Sequence, residues 1–259
     1  MSPLLRAKLG LLAGGSSSCA MASGARNPSV HWRGHILRFE PRSAPGYQAP
    51  AGLRLLLIFL LLEGVLGPRL SLLAWLRLPV PPVWVRVPLL LGVSLLSVRL
   101  VAGLKLGQIG LHPWRRWSAT EKSYFFQVLV IANVVFAVLL AERWRAILAG
   151  PSLLARAGAV LVPVFLWGFY QEVMYRGILQ TELVRRWGPL PGILVSNTLF
   201  TFGPLHFYHF SDAAPAPIFA AIFAIGLFFA LVFWRSGNLW LVAVFHGIGD
   251  TYIDGTRQL

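Results

Sequence analysis

The sequence predicts an all-α fold, a polytopic transmembrane helical bundle of about 7–8 spans. Three observations predict it. Of 259 residues, 56% are hydrophobic and 12% charged, against roughly a quarter charged in an average soluble domain. The mean hydropathy is +0.67. The apolar residues come in continuous runs, not in the alternating strands of a membrane barrel. A soluble fold of this length leaves roughly a quarter of its unfolded surface exposed, too much for so apolar a chain. Soluble and disordered classes are therefore excluded.

Residues 1–50 are unlike the rest. They hold Gly14-Gly15-Ser16-Ser17-Ser18, several prolines and scattered cations, and read as a disordered tail. The apolar stretch Leu9 to Ala13, behind Arg6 and Lys8, is shorter than a signal-peptide core of about 7–15 residues. Residues 51–150 carry the first spans. One runs over about 53–66 and on toward Leu76, with a break at Gly67-Pro68. The second covers about 83–104 and the third 124–141. Between them a basic loop, 105–122, carries Trp114-Arg115-Arg116-Trp117, indoles suited to headgroup depth beside cations.

Residues 151–259 read as the core that bears the chemistry. The fourth span starts near Leu153 and continues as a long helix to about Arg185, and Pro189 and Pro191 punctuate the turn after it. The fifth span is about Ile193–Phe207, the sixth 218–234 and the seventh 239–252. The loop 208–217 has no Lys or Arg and one Asp, which places it outside. Arg185, Arg186 and Arg235 then lie inside, as the positive-inside rule asks, while Arg143, Arg145 and Arg156 go against it.

The chain carries 23 Lys+Arg against 9 Asp+Glu, a net charge of +14. The cations fall in loops and at helix ends, with no basic stripe interleaved with aromatics. Their partner is membrane lipid, not nucleic acid. The one cysteine, Cys19, excludes an internal disulfide and a thiol-ligated metal site.

An ionisable residue inside a span is costly and is a functional hypothesis by default. The first half offers Glu63 and Arg99, both near span ends, where a long side chain reaches the headgroups or finds a partner. Three later helices each carry a polar cluster. The fourth span has Gln171-Glu172 and Arg176, with Glu172 and Arg176 four apart on one face. The fifth has Phe202 and His206, again four apart, then His209. The seventh has His246-Gly247-Ile248-Gly249-Asp250, with His246 and Asp250 at i, i+4. Gly247 and Gly249 permit close helix approach. Two imidazoles, carboxylates and a guanidinium meeting in one intramembrane cavity would suit general acid–base hydrolysis.

These motifs, in this order, resemble the CPBP family of CAAX-processing and bacteriocin-processing intramembrane proteases, which includes the type 2 CAAX prenyl endopeptidases. The family pattern runs Glu-Glu-x-x-x-Arg, Phe-x-x-x-His, His-x-x-x-Asn or Asp. Here it reads Gln171-Glu172-x-x-x-Arg176, Phe202-x-x-x-His206 and His246-x-x-x-Asp250, with Arg176-Gly177 and Arg235-Ser236-Gly237-Asn238-Leu239-Trp240 as supporting text. The resemblance covers roughly 153–252. It implies hydrolysis of a peptide bond near the end of a membrane-associated protein or peptide. The catalytic set would be Glu172, His206, His246 and Asp250, supported by Gln171, Arg176 and Phe202. The implied chemistry is carboxylate- and histidine-activated water without a cofactor. Zinc held by Glu172, His206 and His246 is the alternative.

The departure is Gln171, where the pattern carries the Glu assigned as base. A carboxamide takes no proton at neutral pH. Three readings stay open. Glu172 serves as base; or the site is silent and the chain is an immunity or regulatory scaffold; or Asp250 supplies the carboxylate, orienting or deprotonating His246, while Gln171 donates to the oxyanion. Substrates compatible with the sequence are a CAAX-type tail or a bacterial processing or sorting signal. The Arg-, Ala-, Gly-, Pro- and Leu-rich composition points to a bacterial inner (plasma) membrane.

Overall fold

The apolar runs fold as helices, and no strand occurs among the described residues. The computed structural model describes residues 46–67, 75–77, 81–149 and 157–255. The expected tail up to residue 45, Pro68 of the break, the start of the fourth span at Leu153, and Arg156 lie outside the described residues.

Helix α1 (Ala49–Phe59) opens on Pro50 and runs on as a π-helical stretch, Leu60–Val65. Then come α2 (Val83–Leu100), α3 (Ala119–Leu139) and α4 (Ala141–Ala149). The central helical path starts with a π-helical turn, Ala157–Leu161. It continues as α5 (Val162–Glu172), a second π-helical stretch (Val173–Gln180) and α6 (Thr181–Trp187). Next are α7 (Pro189–Phe202), α8 (Pro215–Ser236) and α9 (Leu239–Asp250), the last prolonged by the π-helical turn Thr251–Gly255.

Among the described residues α2, α3 and α8 are long and apolar enough to cross a membrane by themselves. Helix α3 shows why a lipid solvent is needed. Val130, Ile131, Val134, Val135, Val138 and Leu139 all face outward. The chain is an all-α bundle of an integral membrane protein. Its interior lies around the second half, where Tyr170, Val173, Met174, Tyr175 and Ile178 are wholly buried.

Helix α5 packs most closely on α9, and two glycines set the distance. A Cβ on Gly168 would stand 2.8 Å from the Gly247 nitrogen, and one on Gly247 would stand 2.6 Å from the Phe165 carbonyl oxygen. Any larger residue would drive the helices apart. Gly249 plays no such part, since the nearest neighbour to its Cβ position is a Phe136 ring atom at 3.9 Å.

Two boundaries differ from expectation. Helix α7 stops at Phe202, short of Phe207, because Gly203 is extended (φ −85°, ψ −175°) ahead of Pro204. His206 then precedes a 3₁₀ turn, Phe207–Ser211, so Phe202 and His206 share no helix face. Pro189 and Pro191 sit in the first turn of α7, with Pro189 at its first position, where a missing N–H is harmless. Gly188, at φ 85°, makes the turn before it.

Polar contacts at the loop ends lock the bundle. Ser118 and Glu121 form a reciprocal capping box at the start of α3. The Asn238 amide donates to the second Glu121 oxygen at 3.0 Å, while Asn238 Oδ1 accepts from the Trp240 N–H. One pair of side chains therefore caps α3 and α9 and joins them. Buried Glu182 accepts from Arg185, Arg186 and the Tyr47 hydroxyl. Burial first, and then this carboxylate, hold the Tyr47 hydroxyl above its ordinary range, so it stays a donor. The cluster ties the segment before α1 to α6.

Candidate active site

Helix α5 carries Gln171 and Glu172, and the π-helical stretch after it carries Arg176. All three are buried, at 3%, 0% and 1% exposure. Glu172 Oε1 stands 3.2 Å from Arg176 Nη1 and 2.6 Å from His246 Nδ1 on α9. The carboxylate cannot donate, so His246 Nδ1 bears the proton and the acid fixes the ring's orientation. Helix crossing at Gly168 and Gly247 makes this short contact possible. Arg176 is held further by its Nη2 donating to the Gly226 carbonyl at 2.8 Å and by its guanidinium lying 4.1 Å over the Phe200 ring.

The other nitrogen of His246, Nε2, lies 3.5 Å from Asp250 Oδ1. The i, i+4 spacing read from the sequence is thus realised on α9. The second Asp250 oxygen accepts from Gln171 Nε2 at 3.4 Å. Gln171, Asp250, His246, Glu172 and Arg176 therefore form one connected string across α5 and α9.

His206 reaches the same place from the irregular turn after α7. Its Nδ1 donates to the Phe200 carbonyl at 2.7 Å. Its ring meets Phe200 edge-on at 5.0 Å, and the His246 ring meets the same phenyl group at 6.0 Å. His206, His209, His246 and Asp250 line a cavity of about 1040 Å³. Its apolar wall comes from α3 and α8, including Ala132, Phe136, Ile218, Ile222, Ile225 and Phe229. His209 is tethered by Asp212 at 2.6 Å.

Three expected features are placed differently. Phe202 does not line this cavity. It is 42% exposed and packs on Phe219 at 5.1 Å in a separate apolar groove. Phe200 holds the position the motif suggested for it, because the helix ends before an i, i+4 pair can form. The sequence signal was the inward stripe Ser196, Asn197, Phe200, Thr201, all buried. Gln171 and Glu172 also stand behind the cavity wall, not on it, so the Gln171 amide meets Asp250 and does not reach the hollow.

Of the residues considered for zinc, Glu172 engages Arg176 and His246 Nδ1 through Oε1, and His206 donates Nδ1–H to a carbonyl. No three His, Cys, Asp or Glu side chains among the described residues form a group able to hold a metal ion. Chemically, the cavity offers carboxylates, imidazoles in fixed orientation and an apolar wall.

Comparison with known proteins adds one match. Residues 153–252 fit the family model described as type II CAAX prenyl endopeptidase Rce1-like. No curated protein and no solved structure matches the chain. All three motifs fall inside the matched region, which is similar to the type II CAAX prenyl endopeptidase domain.

Proposed function

We propose that the chain is an endopeptidase hydrolysing a peptide bond near the end of a membrane-associated protein or peptide. The observation that carries the reading is His246 held between Glu172 on Nδ1 and Asp250 on Nε2 at the wall of a cavity shared with His206. A water molecule beside His246 Nε2 and Asp250 Oδ1 loses a proton to that pair as its oxygen attacks the scissile carbonyl carbon. Glu172, behind the ring, stabilises the imidazolium that forms, as the acid does in a serine-protease triad. The proton then passes to the leaving amine as the carbon–nitrogen bond breaks. We assign His206 to the carbonyl oxygen, where charge develops.

Of the three readings left open by the sequence, this scheme takes the third, with Asp250 as the cavity-facing acid and Glu172 as the orienting one. Gln171 steers Asp250 through its amide. The scheme uses no cofactor. The substrate is a CAAX-type tail or a bacterial processing or sorting signal, and we place the protein in a bacterial plasma membrane. A catalytically silent scaffold, acting in immunity or regulation, is the second reading, favoured by the carboxamide at Gln171.

The test compares membrane proteomes of cells carrying wild-type protein or His246→Ala. The proposal expects a precursor with an uncleaved end to accumulate in the variant. Identical proteomes, with both proteins at equal level in the membrane, would favour the scaffold.

A further inference from the structure

Outside the matched region 153–252, one buried acid stands apart. Glu63, in the π-helical stretch after α1, is 2% exposed. It meets no cation among the described residues. Its two oxygens instead accept from two phenols, Tyr175 at 3.1 Å and Tyr170 at 3.4 Å. Both tyrosines are wholly buried, and each adjoins a site residue in sequence, Tyr170 before Gln171 and Tyr175 before Arg176.

The contacts continue inward from there. The Tyr175 ring is wedged edge-on between Phe59, on α1, and Phe200, each at 5.2 Å. Phe200 is the ring that bears the Arg176 guanidinium on its face and touches both imidazoles, and its carbonyl holds His206. A carboxyl group in this setting is costly to bury. Removing it would leave two phenols without their acceptor in a dry interior, where an unmet hydrogen-bonding group is expensive.

We infer that Glu63 is a positioning residue for the catalytic site. Through Tyr175 it seats the Phe200 ring, and through that ring it sets His206 and His246 relative to each other. The first helix is then part of the catalytic device, and the 153–252 region is incomplete without it. The role in turnover rests on the proposed peptidase reading; the role in geometry does not.

The test uses the full chain in lipid nanodiscs with ¹⁵N-labelled histidine, the signals assigned by single histidine substitutions. Variants are Glu63→Leu, Glu63→Gln and Tyr175→Phe, with Ser94→Ala as a buried control elsewhere in the bundle. His206 and His246 signals should move by more than a line width in Glu63→Leu and Tyr175→Phe. They should stay in place in Glu63→Gln, which keeps an acceptor, and in the control. If Glu63→Leu does not fold, Tyr175→Phe decides alone. Unmoved imidazole signals in a folded Glu63→Leu or Tyr175→Phe protein would overturn the inference, whatever their thermal stability. Where a precursor is cleaved, the same two variants should lower kcat on the order of 100-fold with KM little changed. Absence of any cleavage would count against the peptidase reading and leave the spectroscopic result standing.

Discussion

The Gln171–Asp250 contact allows a double-mutant cycle with a definite expected outcome. Asp250→Asn removes the only carboxylate of the connected string that faces the cavity. Loss of a positioned acid–base group costs about 10²–10⁴ in rate, so cleavage should fall by that factor while the fold persists. Gln171→Glu alone sets two carboxylates 3.4 Å apart, the present amide–oxygen distance. At an effective dielectric constant of about 20, two like charges at that separation repel by about 5 kcal/mol. That single variant should be strongly destabilised. The double variant, Gln171→Glu with Asp250→Asn, restores one amide and one carboxylate across the same contact with the hydrogen bond reversed. It should recover most of the stability lost by Gln171→Glu, with an interaction energy of several kcal/mol. Thermal unfolding in detergent measures the stability arm, and release of the precursor's end measures the activity arm. Additive stability effects would refute the contact. Full activity in Asp250→Asn would remove Asp250 from the chemistry.

Three further outcomes follow from the geometry. Glu172→Gln leaves the Arg176 charge buried without its counter-ion, a change costing about 3–5 kcal/mol, and a Glu172→Gln, Arg176→Met double variant should regain much of that in thermal unfolding. Phe200→Leu should abolish precursor cleavage, whereas Phe202→Leu, at a half-open apolar groove, should leave it within about threefold of wild type; the reverse order would show that the motif's phenylalanine matters by position in the sequence. Asn238→Ala strips one cap from α9 and a partner from Glu121, and should cost roughly 1–2 kcal/mol in unfolding measurements with little effect on cleavage at permissive temperature.

Much of the fold was legible because the solvent dictates it. Continuous apolar runs with helix-terminating prolines and glycines gave the order of helices, and α8 and α9 begin within a few residues of the places expected. Helical spacing also identified Glu172 with Arg176, and His246 with Asp250, because both pairs lie on uninterrupted helix. The same rule failed for Phe202 and His206. Pro204 breaks the helix between them, and its effect on Gly203 could have been read from the sequence. What spacing could not supply is which carboxylate meets which imidazole nitrogen. That depends on the crossing of α5 and α9 at two glycines, a tertiary fact. Glu63 was illegible for a similar reason. Nothing near it in sequence supplies its partners, which sit more than a hundred residues away.

The arrangement also weighs between the two functional readings without any comparison of relatives. Buried ion pairs are poor stabilisers: replacing one by apolar groups of similar volume is often neutral or favourable by about 1–4 kcal/mol. A scaffold needing only this shape would gain by filling the crossing of α5 and α9 with hydrocarbon. Instead the chain keeps Glu172 and Arg176 at 0% and 1% exposure and adds His246 and Asp250 beside them. It aims an imidazole and a carboxylate at a cavity wide enough for a peptide segment. Gln171 does not undo this, because its amide is spent on Asp250 and keeps that carboxylate in place. On the proposed reading the cost of desolvating these groups is offset in turnover, where an oriented imidazole with an acid behind it gains its value from a charge that forms and vanishes. The residue that looked like the loss of a base is, in this geometry, a hydrogen-bond donor to Asp250, the carboxylate to which the proposed scheme gives that task.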